Sequence, residues 1–431
     1  MHATIKRHAV LNFGIAEGAP GTEASFIRLS TINRNDVIQI LYCDDHSLVP
    51  HVNEDSASMD HRLESQLGQA HEKLWASDGS MPVWKVIVLV EPTAANKPKP
   101  IMDNDLEKQQ SIDVVFIAHH AVADGLSGVA FHKSFHDALY QAIVFPAQLS
   151  AQWPYAVLKE VIPPTTLEQL VDFSSATRIQ KNISTDDNIW AGLHPIEVQS
   201  NNFHSRVKIV SIPSEHVVNI LKHCKSFGIT LTGYLHGAIQ VILSRKIEGA
   251  QAFRFITPYS IRSFTGAHIE DIVNHISYME RTTREGLVEG LRCTSANSNE
   301  ELTAIVNIAR QFKTESSHEM SLFPGGSALA DIYSLADVTK YCVDQFYEKR
   351  SCTYELSNLG VGTFSSGDTE VVQVEKMVFS QCGMVVGPAI GCNVVSVKGG
   401  SMTVTLTWQE GVVDSGLIQM MAESICSKLC R

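Results

Sequence analysis

The sequence predicts an α/β protein of two domains, each a mixed sheet with helices. Its 431 residues exceed one ordinary domain. Strand and helix patterns are interspersed along the whole chain and show no internal repeat. Pro163-Pro164 and the polar, turn-forming stretch 184–195 are typical of a linker. We therefore expect an N-terminal domain at 1–185 and a C-terminal domain at 186–431.

Strands in the N-terminal part are predicted where β-branched and aromatic residues cluster, and a helix where apolar residues recur every three or four positions. Residues 97–108, with their prolines and charges, are expected to form a surface loop. The predicted strands are Val37–Tyr42, Val83–Val90 and Ile112–Ala118, and the predicted helices are His61–Trp75 and one that follows Gly125.

The C-terminal part shows the same two periodicities in a different order. Leu231–Ile247 carries few charges, which predicts a well-buried helix. The other predicted helices are Ser214–Phe227, Ser298–Lys313, Leu335–Glu348 and Ser415–Leu429. The predicted strands are Ser205–Ile212, Phe253–Pro258, Val371–Phe379 and Met402–Trp408.

Composition excludes several classes of function. A formal net charge of −12 without a basic block argues against nucleic-acid binding and against a cationic membrane patch. The sequence contains no apolar run long enough to predict a membrane span, and its N-terminus lacks the apolar stretch of a signal peptide. Nine scattered cysteines are typical of reduced thiols. We expect a cytoplasmic protein and a monomer.

The stretch from Ile117 to Gly125, Ile-Ala-His-His-Ala-Val-Ala-Asp-Gly, carries the clearest chemistry. It places His119 and His120 after a predicted strand, and Asp124 and Gly125 before a predicted helix. Imidazole titrates near neutrality and suits a general base. The motif is therefore predicted to lie on a strand-to-helix turn, where polar groups can face a cleft.

Simpler interpretations of these residues have to be weighed. A buried histidine is usually a satisfied core residue, and an Asp-Gly pair is usually a turn. His132 and His136, four residues apart on the predicted helix, could chelate zinc. No glutamate follows His132 as in metalloproteases, and no Cys-x-x-Cys occurs, so we expect no metal.

The pattern His-His-x-x-x-Asp-Gly resembles the signature of the acyltransferase superfamily related to chloramphenicol acetyltransferase. That superfamily includes plant BAHD acyltransferases, condensation domains of nonribosomal peptide synthesis and fungal alcohol O-acetyltransferases. Further segments resemble the fungal branch in order along the chain. They are Pro82–Val86, Ile162–Glu168, Ile189–Gly192, Gly228–Ala238, Pro258–Arg262 and the Ser-Asn-x-Gly segment Ser357–Gly360.

The resemblance implies two chloramphenicol-acetyltransferase-like domains with a tunnel between them and His120 at its middle. Successive side chains of a strand point to opposite faces, so one histidine faces the tunnel, and family position selects His120. His120 and Asp124 are then the catalytic pair, with Asp124 expected to pair with Arg262. The supporting residues are His119, Gly125 and Arg262, and the oxyanion or donor-tunnel candidates are Ser357, Asn358 and Gly360.

The expected activity is transfer of an acetyl or other short acyl group from acyl-CoA to a hydroxyl of a small secondary metabolite. Acetyl-CoA is the expected co-substrate, and no permanently bound cofactor is expected. One alternative is a condensation-like or product-releasing enzyme whose acyl group comes from a carrier protein. Another is a non-catalytic binding protein that keeps the fold. The BAHD motif Asp-Phe-Gly-Trp-Gly is absent, which disfavours a plant-type enzyme.

Overall fold

The computed structural model describes residues 1–18, 23–42, 59–90, 111–146, 152–173, 188–193, 203–325, 327–364 and 371–430. The expected loop at 97–108 and the expected domain boundary at 185 and 186 lie outside these residues. Of the expected linker at 184–195, residues 188–193 are described, and they form no helix.

The strands of the described residues form two principal sheets and two short two-stranded ribbons. In chain order they are β1 Phe13–Ala16, β2 Ser25–Arg28, β3 Thr31–Ile32, β4 Ile38–Tyr42, β5 Trp84–Val90, β6 Ile112–Ala118, β7 Tyr155–Ala156, β8 Ser205–Ile212, β9 Phe253–Ser260, β10 Ile276–Thr283, β11 Cys352–Gly362, β12 Pro388–Val397 and β13 Met402–Gln409.

Helices are interspersed with the strands, as the α/β prediction requires. They are α1 His2–Arg7, α2 Arg34–Val37, α3 Met59–His71, α4 Gly125–Val144, α5 Leu167–Leu170, α6 Ser214–Ser226, α7 Leu231–Lys246, α8 Arg262–Thr265, α9 Glu285–Cys293, α10 Asn299–Ser321, α11 Ala328–Tyr333, α12 Val338–Asp344 and α13 Ser415–Leu429. Short 3₁₀ turns span Ala9–Asn12 and Gln345–Tyr347.

Both principal sheets are mixed, which confirms the predicted fold class. The first has the order β4-β5-β6, with β4 parallel and β6 antiparallel to β5. The second has the order β10-β9-β11-β12-β13-β8, in which β11 runs parallel to both neighbours. β12 and β13 are buried along nearly their whole length, so both of their faces are covered.

The described residues form four hydrophobic clusters, and the two largest correspond to the two sheets. The larger packs α6, α7, α10 and α13 against the second sheet, with Leu235, Leu243 and Tyr354 fully enclosed. The smaller packs α1 and α4 with the first sheet, where the ring of Phe116 stacks on that of Phe131 at 3.8 Å. Ile272, from the chain that follows β9, lies in the smaller core, so the two parts interlock.

Helix α3 crosses from the first sheet to β8, the edge strand of the second sheet. The Glu64 carboxylate accepts a hydrogen bond from the backbone N–H of Ile209 at 2.7 Å. An unpaired edge N–H is a site for unwanted strand addition, and a carboxylate on it blocks that pairing. The first part of the chain therefore protects an edge of the second.

Several sequence predictions need correction; one is the predicted helix His61–Trp75, which spans Met59–His71. The predicted strand Val371–Phe379 is an irregular segment: it lies along the second sheet, where Thr403 Oγ1 donates to the carbonyl of Met377 at 2.8 Å. Side chains 371–376 alternate between exposed and partly buried, as they would in a strand, but the segment pairs with no neighbouring strand. The predicted helix Leu335–Glu348 is shorter, because α12 begins only at Val338, after an Asp337 cap, and gives way to a 3₁₀ turn. The predicted strand Val37–Tyr42 loses its first residue to α2.

No single helix in the described ranges has the length and apolar character needed to cross a membrane. Taken together, α6 and α7 meet that test of length and composition, although the pair bends by 99° at the break between them.

Candidate active site

A cavity of about 1970 Å³ lies between the two sheets. On one side it is lined by β6, the turn 119–124 and one face of α4. On the other it is lined by parts of β9, β10 and β11 and by the irregular segment 371–384. The expected tunnel between two parts of the chain therefore corresponds to a real cavity, and the His-His-x-x-x-Asp-Gly motif forms part of its surface.

The motif lies on a strand-to-helix turn, as the sequence predicts. β6 ends at Ala118, and the backbone N–H of His119 donates to the carbonyl of Val83 at 2.9 Å, continuing the sheet by one bond. The chain then turns at residues 120–122 and enters α4 at Gly125. Because both histidines lie beyond the strand, alternation of strand faces does not decide which one enters the cavity, and both line it.

Hydrogen bonding separates the roles of the two histidines instead. His119 Nδ1 accepts a hydrogen bond from the backbone N–H of Ala121 at 3.0 Å, which ties the ring to its own turn. Burial, assisted by the positive charge of protonated His120, lowers the pKa of His119 and favours its neutral form. His120 is exposed on the cavity surface, and its backbone carbonyl accepts a 2.7 Å hydrogen bond from Asn274 Nδ2. Of the two histidines, His120 is therefore the one that is exposed at the cavity surface.

Asp124 is buried and its carboxylate is fully occupied within the protein. Arg262 donates to it through both terminal nitrogens, at 2.6 and 2.9 Å. The backbone N–H groups of Ser127 and His275 donate at 2.9 and 3.1 Å, and Ser127 Oγ adds a further bond at 2.9 Å. This is the pairing expected from the sequence, and it gives Asp124 an organising role in the turn.

Helix α4 begins at this cluster because Asp124 is its N-cap in a capping box with Ser127. A carboxylate at a helix N-terminus also meets the positive end of the helix dipole. Gly125 comes next, and a Cβ there would collide with the side chain of Leu359 on β11. The glycine therefore lets the turn pack closely against the second sheet.

The predicted oxyanion or donor candidates lie on β11 with different surroundings. Ser357 is buried at 8% exposure and lines the cavity. Asn358 also lines it, but its amide donates to Thr232 Oγ1 at 3.1 Å and accepts from the N–H of Gly360 at 2.9 Å. Gly360 has a φ of +75°, which favours glycine, and it serves that turn rather than the cavity surface.

Sequence reasoning missed Asn274, Glu355 and Gln381. Asn274 holds the His120 carbonyl, and the other two line the cavity, where Gln381 Nε2 donates to Glu355 at 2.7 Å. These residues are far from the motif in sequence, and no local pattern marks them. A polar residue inside an apolar strand, such as Glu355 within Cys352–Leu356, was the one available signal.

In the ranges that the structure describes, no group of three or more His, Cys, Asp or Glu side chains has the geometry to hold a metal ion. His136 Nε2 hydrogen-bonds to the carbonyl of Val372 at 3.2 Å. The eight cysteines in the described part of the chain are free thiols.

The fold is the two-lobed architecture of the chloramphenicol acetyltransferase type. Among solved structures, trichothecene 15-O-acetyltransferase from Fusarium sporotrichioides aligns with a TM-score of 0.64 at 11% identity, covering 100% of this chain and 84% of that one. Polyketide synthase associated protein 5 from Mycobacterium tuberculosis aligns with a TM-score of 0.58 at 10% identity, covering 100% and 88%. At these identities the likeness concerns the fold.

The chain belongs to the alcohol acetyltransferase family, which it matches over residues 18–429. A probable alcohol acetyltransferase of Aspergillus fumigatus is 23% identical over 381 residues, covering 85% of this chain and 76% of the relative. A second probable alcohol acetyltransferase, from Fusarium pseudograminearum, is 23% identical over 370 residues, covering 81% and 71%. The protein is therefore an acetyltransferase by family.

Proposed function

We propose that the protein transfers an acetyl group from acetyl-CoA to a hydroxyl of a small, largely apolar secondary metabolite. The observation that carries the proposal is the exposure of the His120 ring to a large cavity while His119 is tied to its own turn. Family membership supports acetyl transfer, and the geometry supports a single histidine as its base.

In the proposed reaction, neutral His120 removes the hydroxyl proton as the oxygen attacks the thioester carbonyl. The C–S bond then breaks, and the imidazolium returns the proton to the departing thiolate. An acyl-enzyme is unnecessary because a cavity of about 1970 Å³ can hold both substrates side by side. The tetrahedral oxyanion requires a donor, and Ser357 suits that task better than Asn358, whose amide is already engaged.

Two lysines of the cavity support free acyl-CoA, rather than a carrier-bound acyl group, as the donor. Lys73 and Lys376 line the cavity, so cations are available for the phosphates of CoA. Lys376 is paired with Asp60, whereas Lys73 is exposed. Exposed phosphate contacts are screened within about 8–10 Å at physiological salt, so donor binding should weaken as salt is raised.

The direct test is incubation with acetyl-CoA and a panel of hydroxylated metabolites, followed by mass spectrometry for an added acetyl group. Transfer to at least one alcohol, lost in the His120→Ala variant, is the expected result. Product formed from an acyl-carrier protein but not from free acetyl-CoA would overturn the CoA donor in favour of the carrier-dependent alternative. Binding of a metabolite without any turnover would favour a non-catalytic protein.

A further inference from the structure

The cavity extends past β6 on both sides, and a different helix borders it on each side. Val115 and Ile117 of β6 pack in one hydrophobic cluster with α3. Phe116 points to the opposite face of the strand and stacks on Phe131 of α4 at 3.8 Å. Residues of both helices line the cavity. The cavity therefore has an α3 side and an α4 side, with the turn that carries His120 at the end of β6.

The two sides differ in charge. Lys73, which lies just after α3, lines the cavity, and so does Lys376, which is paired with Asp60 of α3. No lysine or arginine of α4 lines the cavity. On the proposed function, the phosphates of CoA would therefore meet the α3 side, and a largely apolar acceptor would extend along α4.

The cavity face of α4 is mainly apolar. Val129, Phe135 and Leu139 line the cavity at the three- and four-residue spacing of one helix face. Two histidines interrupt this face, and the second of them, His136, is engaged by the protein: its Nε2 hydrogen-bonds to the carbonyl of Val372 at 3.2 Å. His136 is therefore held by the opposite wall of the cavity.

His132 is the other histidine of this face, and it has no such partner. Its ring makes an edge-on contact with that of Phe131 at 5.5 Å. Among the described residues, neither ring nitrogen of His132 takes part in a hydrogen bond, and neither is sealed away from the cavity. A polar group in apolar surroundings is costly while it has no partner. The free nitrogens of His132 therefore mark a place where a ligand with a polar group gains.

The position of His132 on the helix gives the reach of this group from the reacting centre. His132 lies two helical turns after Gly125, about 10 Å along the axis of α4. Side chains of a helix lean towards its N-terminus, so the imidazole of His132 leans back towards the turn that carries His120. One acceptor molecule lying along α4 can therefore meet both histidines.

The chemistry of this imidazole defines what it can bind. Burial lowers the pKa of His132 to about 4, so the ring is neutral at physiological pH. A neutral imidazole donates one hydrogen bond and accepts another. It can therefore bind a hydroxyl or a carbonyl group. A carboxylate or phosphate would require a cation, which the described lining of α4 does not offer.

We propose that His132 recognises a second, uncharged oxygen group of the acceptor. The preferred acceptors are then elongated, mainly apolar alcohols with a hydroxyl or carbonyl remote from the hydroxyl that is acetylated. This inference rests on the proposed acetyl transfer at His120 and names the class of acceptor for it. His132 is a binding residue and exchanges no proton in the reaction.

The test compares two series of acceptors, with acetyl-CoA as the donor: primary alkanols from hexanol to dodecanol, and the α,ω-diols of the same chain lengths. Each diol differs from its alkanol only in the remote hydroxyl. The ratio of kcat/KM for diol to kcat/KM for alkanol should peak at the chain length that lets this hydroxyl reach His132. In His132→Leu the peak should fall roughly two- to tenfold, the effect of one neutral hydrogen bond.

Two further variants separate recognition from packing. His132→Gln keeps a donor and an acceptor, so it should retain part of the preference for the diol. His318→Leu is the matched control, because it makes the same replacement at an exposed position of α10 outside the cavity and should keep the wild-type ratio. If His132→Leu does not fold, His132→Phe removes both nitrogens but keeps a planar ring, and the same loss is expected.

Equal ratios in the wild type and His132→Leu at every chain length would overturn the inference, and so would a wild-type ratio without a peak. Calorimetric binding of both series to His120→Ala, with and without His132→Leu, tests recognition apart from turnover. A preference for the diol that depends on His132 in binding, with no acetyl transfer by the wild type, would refute the proposed function and leave the recognition intact. Binding that never distinguishes diol from alkanol would refute the recognition.

Discussion

The carboxylate of Asp124 and the guanidinium of Arg262 form a bidentate ion pair that is 1% and 5% exposed at its two side chains. Asp124 precedes α4 in the first part of the chain, and Arg262 follows β9 in the second, 138 positions later. The pair therefore joins the two parts at the base of the turn that carries His120. The two charges neutralise each other, and the carboxylate also accepts hydrogen bonds from the backbone N–H groups of Ser127 and His275. The pair therefore holds the turn in place.

Replacing Asp124 by Asn should destabilise the protein, because it leaves the Arg262 charge buried without a partner. Breaking a buried pair from one side costs roughly 3–5 kcal/mol. Urea unfolding should show this loss in the free energy of unfolding. Asp137→Asn on the same helix is the control, since its contact with Arg7 is 43% exposed on both sides and should contribute no more than about 1 kcal/mol. Equal losses in both variants would contradict the pairing argument.

Replacing His120 by Ala should abolish acetyl transfer while leaving stability nearly unchanged. The ring is exposed to the cavity and its loss opens no hole in the core. Loss of a general base typically lowers kcat by about 10²–10⁴-fold. Steady-state kinetics and thermal melting measured on the same preparation check both halves of the prediction. His318→Ala, at an exposed position of α10, should match the wild type, and a turnover in His120→Ala close to wild type would end the proposed mechanism.

Asn274→Ala should lower kcat by roughly tenfold, because it removes the hydrogen bond that fixes the backbone of His120. A neutral hydrogen bond contributes about 0.5–1.5 kcal/mol, and one of that size accounts for a tenfold effect when it acts on geometry. KM should change little, since Asn274 acts through His120. Asn274→Asp keeps the shape but not the donor, so it should be impaired as well. Full activity in Asn274→Asp would show that the donor is unimportant.

Much of this architecture follows from local sequence patterns, and the reasons are physical. The period of the apolar residues predicts β6 and α4, and Asp124 and Gly125 have local roles as a cap and a close contact. The prediction that Arg262 belongs to the site came from the resemblance to a known family and from no spacing in the sequence. Asn274 and Glu355 lie on segments that reach the turn only after folding, so nothing near them in sequence marks their part in the site.

Val371–Phe379 shows why an alternating pattern can mislead. Its alternation resembles that of a strand, yet the sheet already pairs β11 with both β9 and β12. The segment instead lies over the sheet and along the cavity, where side chains 371–376 alternate between exposed and partly buried. An alternating pattern therefore predicts which side chains are buried. Whether the segment is a strand depends on a neighbouring strand to pair with, and only the tertiary fold provides one.

Gly125→Ala should lower stability, because its methyl group would meet the side chain of Leu359 where the two sheets approach. Overpacking costs typically about 1–3 kcal/mol, and we expect a loss at the lower end because the Leu359 methyl groups stand at the end of a flexible side chain and can shift. Leu359→Ala should relieve the collision, so the double variant should be less destabilised than the sum of the two single ones. A double-mutant cycle by urea unfolding measures that coupling. Strict additivity would mean that the two residues are not in contact.

The stability of the protein should fall as the pH drops below about 6.5, and His236 should account for part of that fall. His236 is fully buried between Tyr354 and Thr257, each 2.9 Å from a ring nitrogen. Burial lowers the pKa of His236 from 6.5 to about 3. Between these values the unfolded chain binds a proton that the folded protein excludes, so stability present above pH 6.5 is lost as the pH falls towards 3.

Replacing His236 by Gln should therefore make the pH dependence shallower, whatever it does to stability at pH 7. One proton fewer taken up on unfolding reduces the slope by at most about 1.4 kcal/mol per pH unit. Urea unfolding of both proteins at several values between pH 7.5 and 4.5 measures the difference. Some dependence should remain, because burial also lowers the pKa of His8 and of His71 to about 4. The exposed His318→Gln variant should keep the wild-type slope, and an unaltered slope in His236→Gln would show that this histidine is not held neutral in the folded protein.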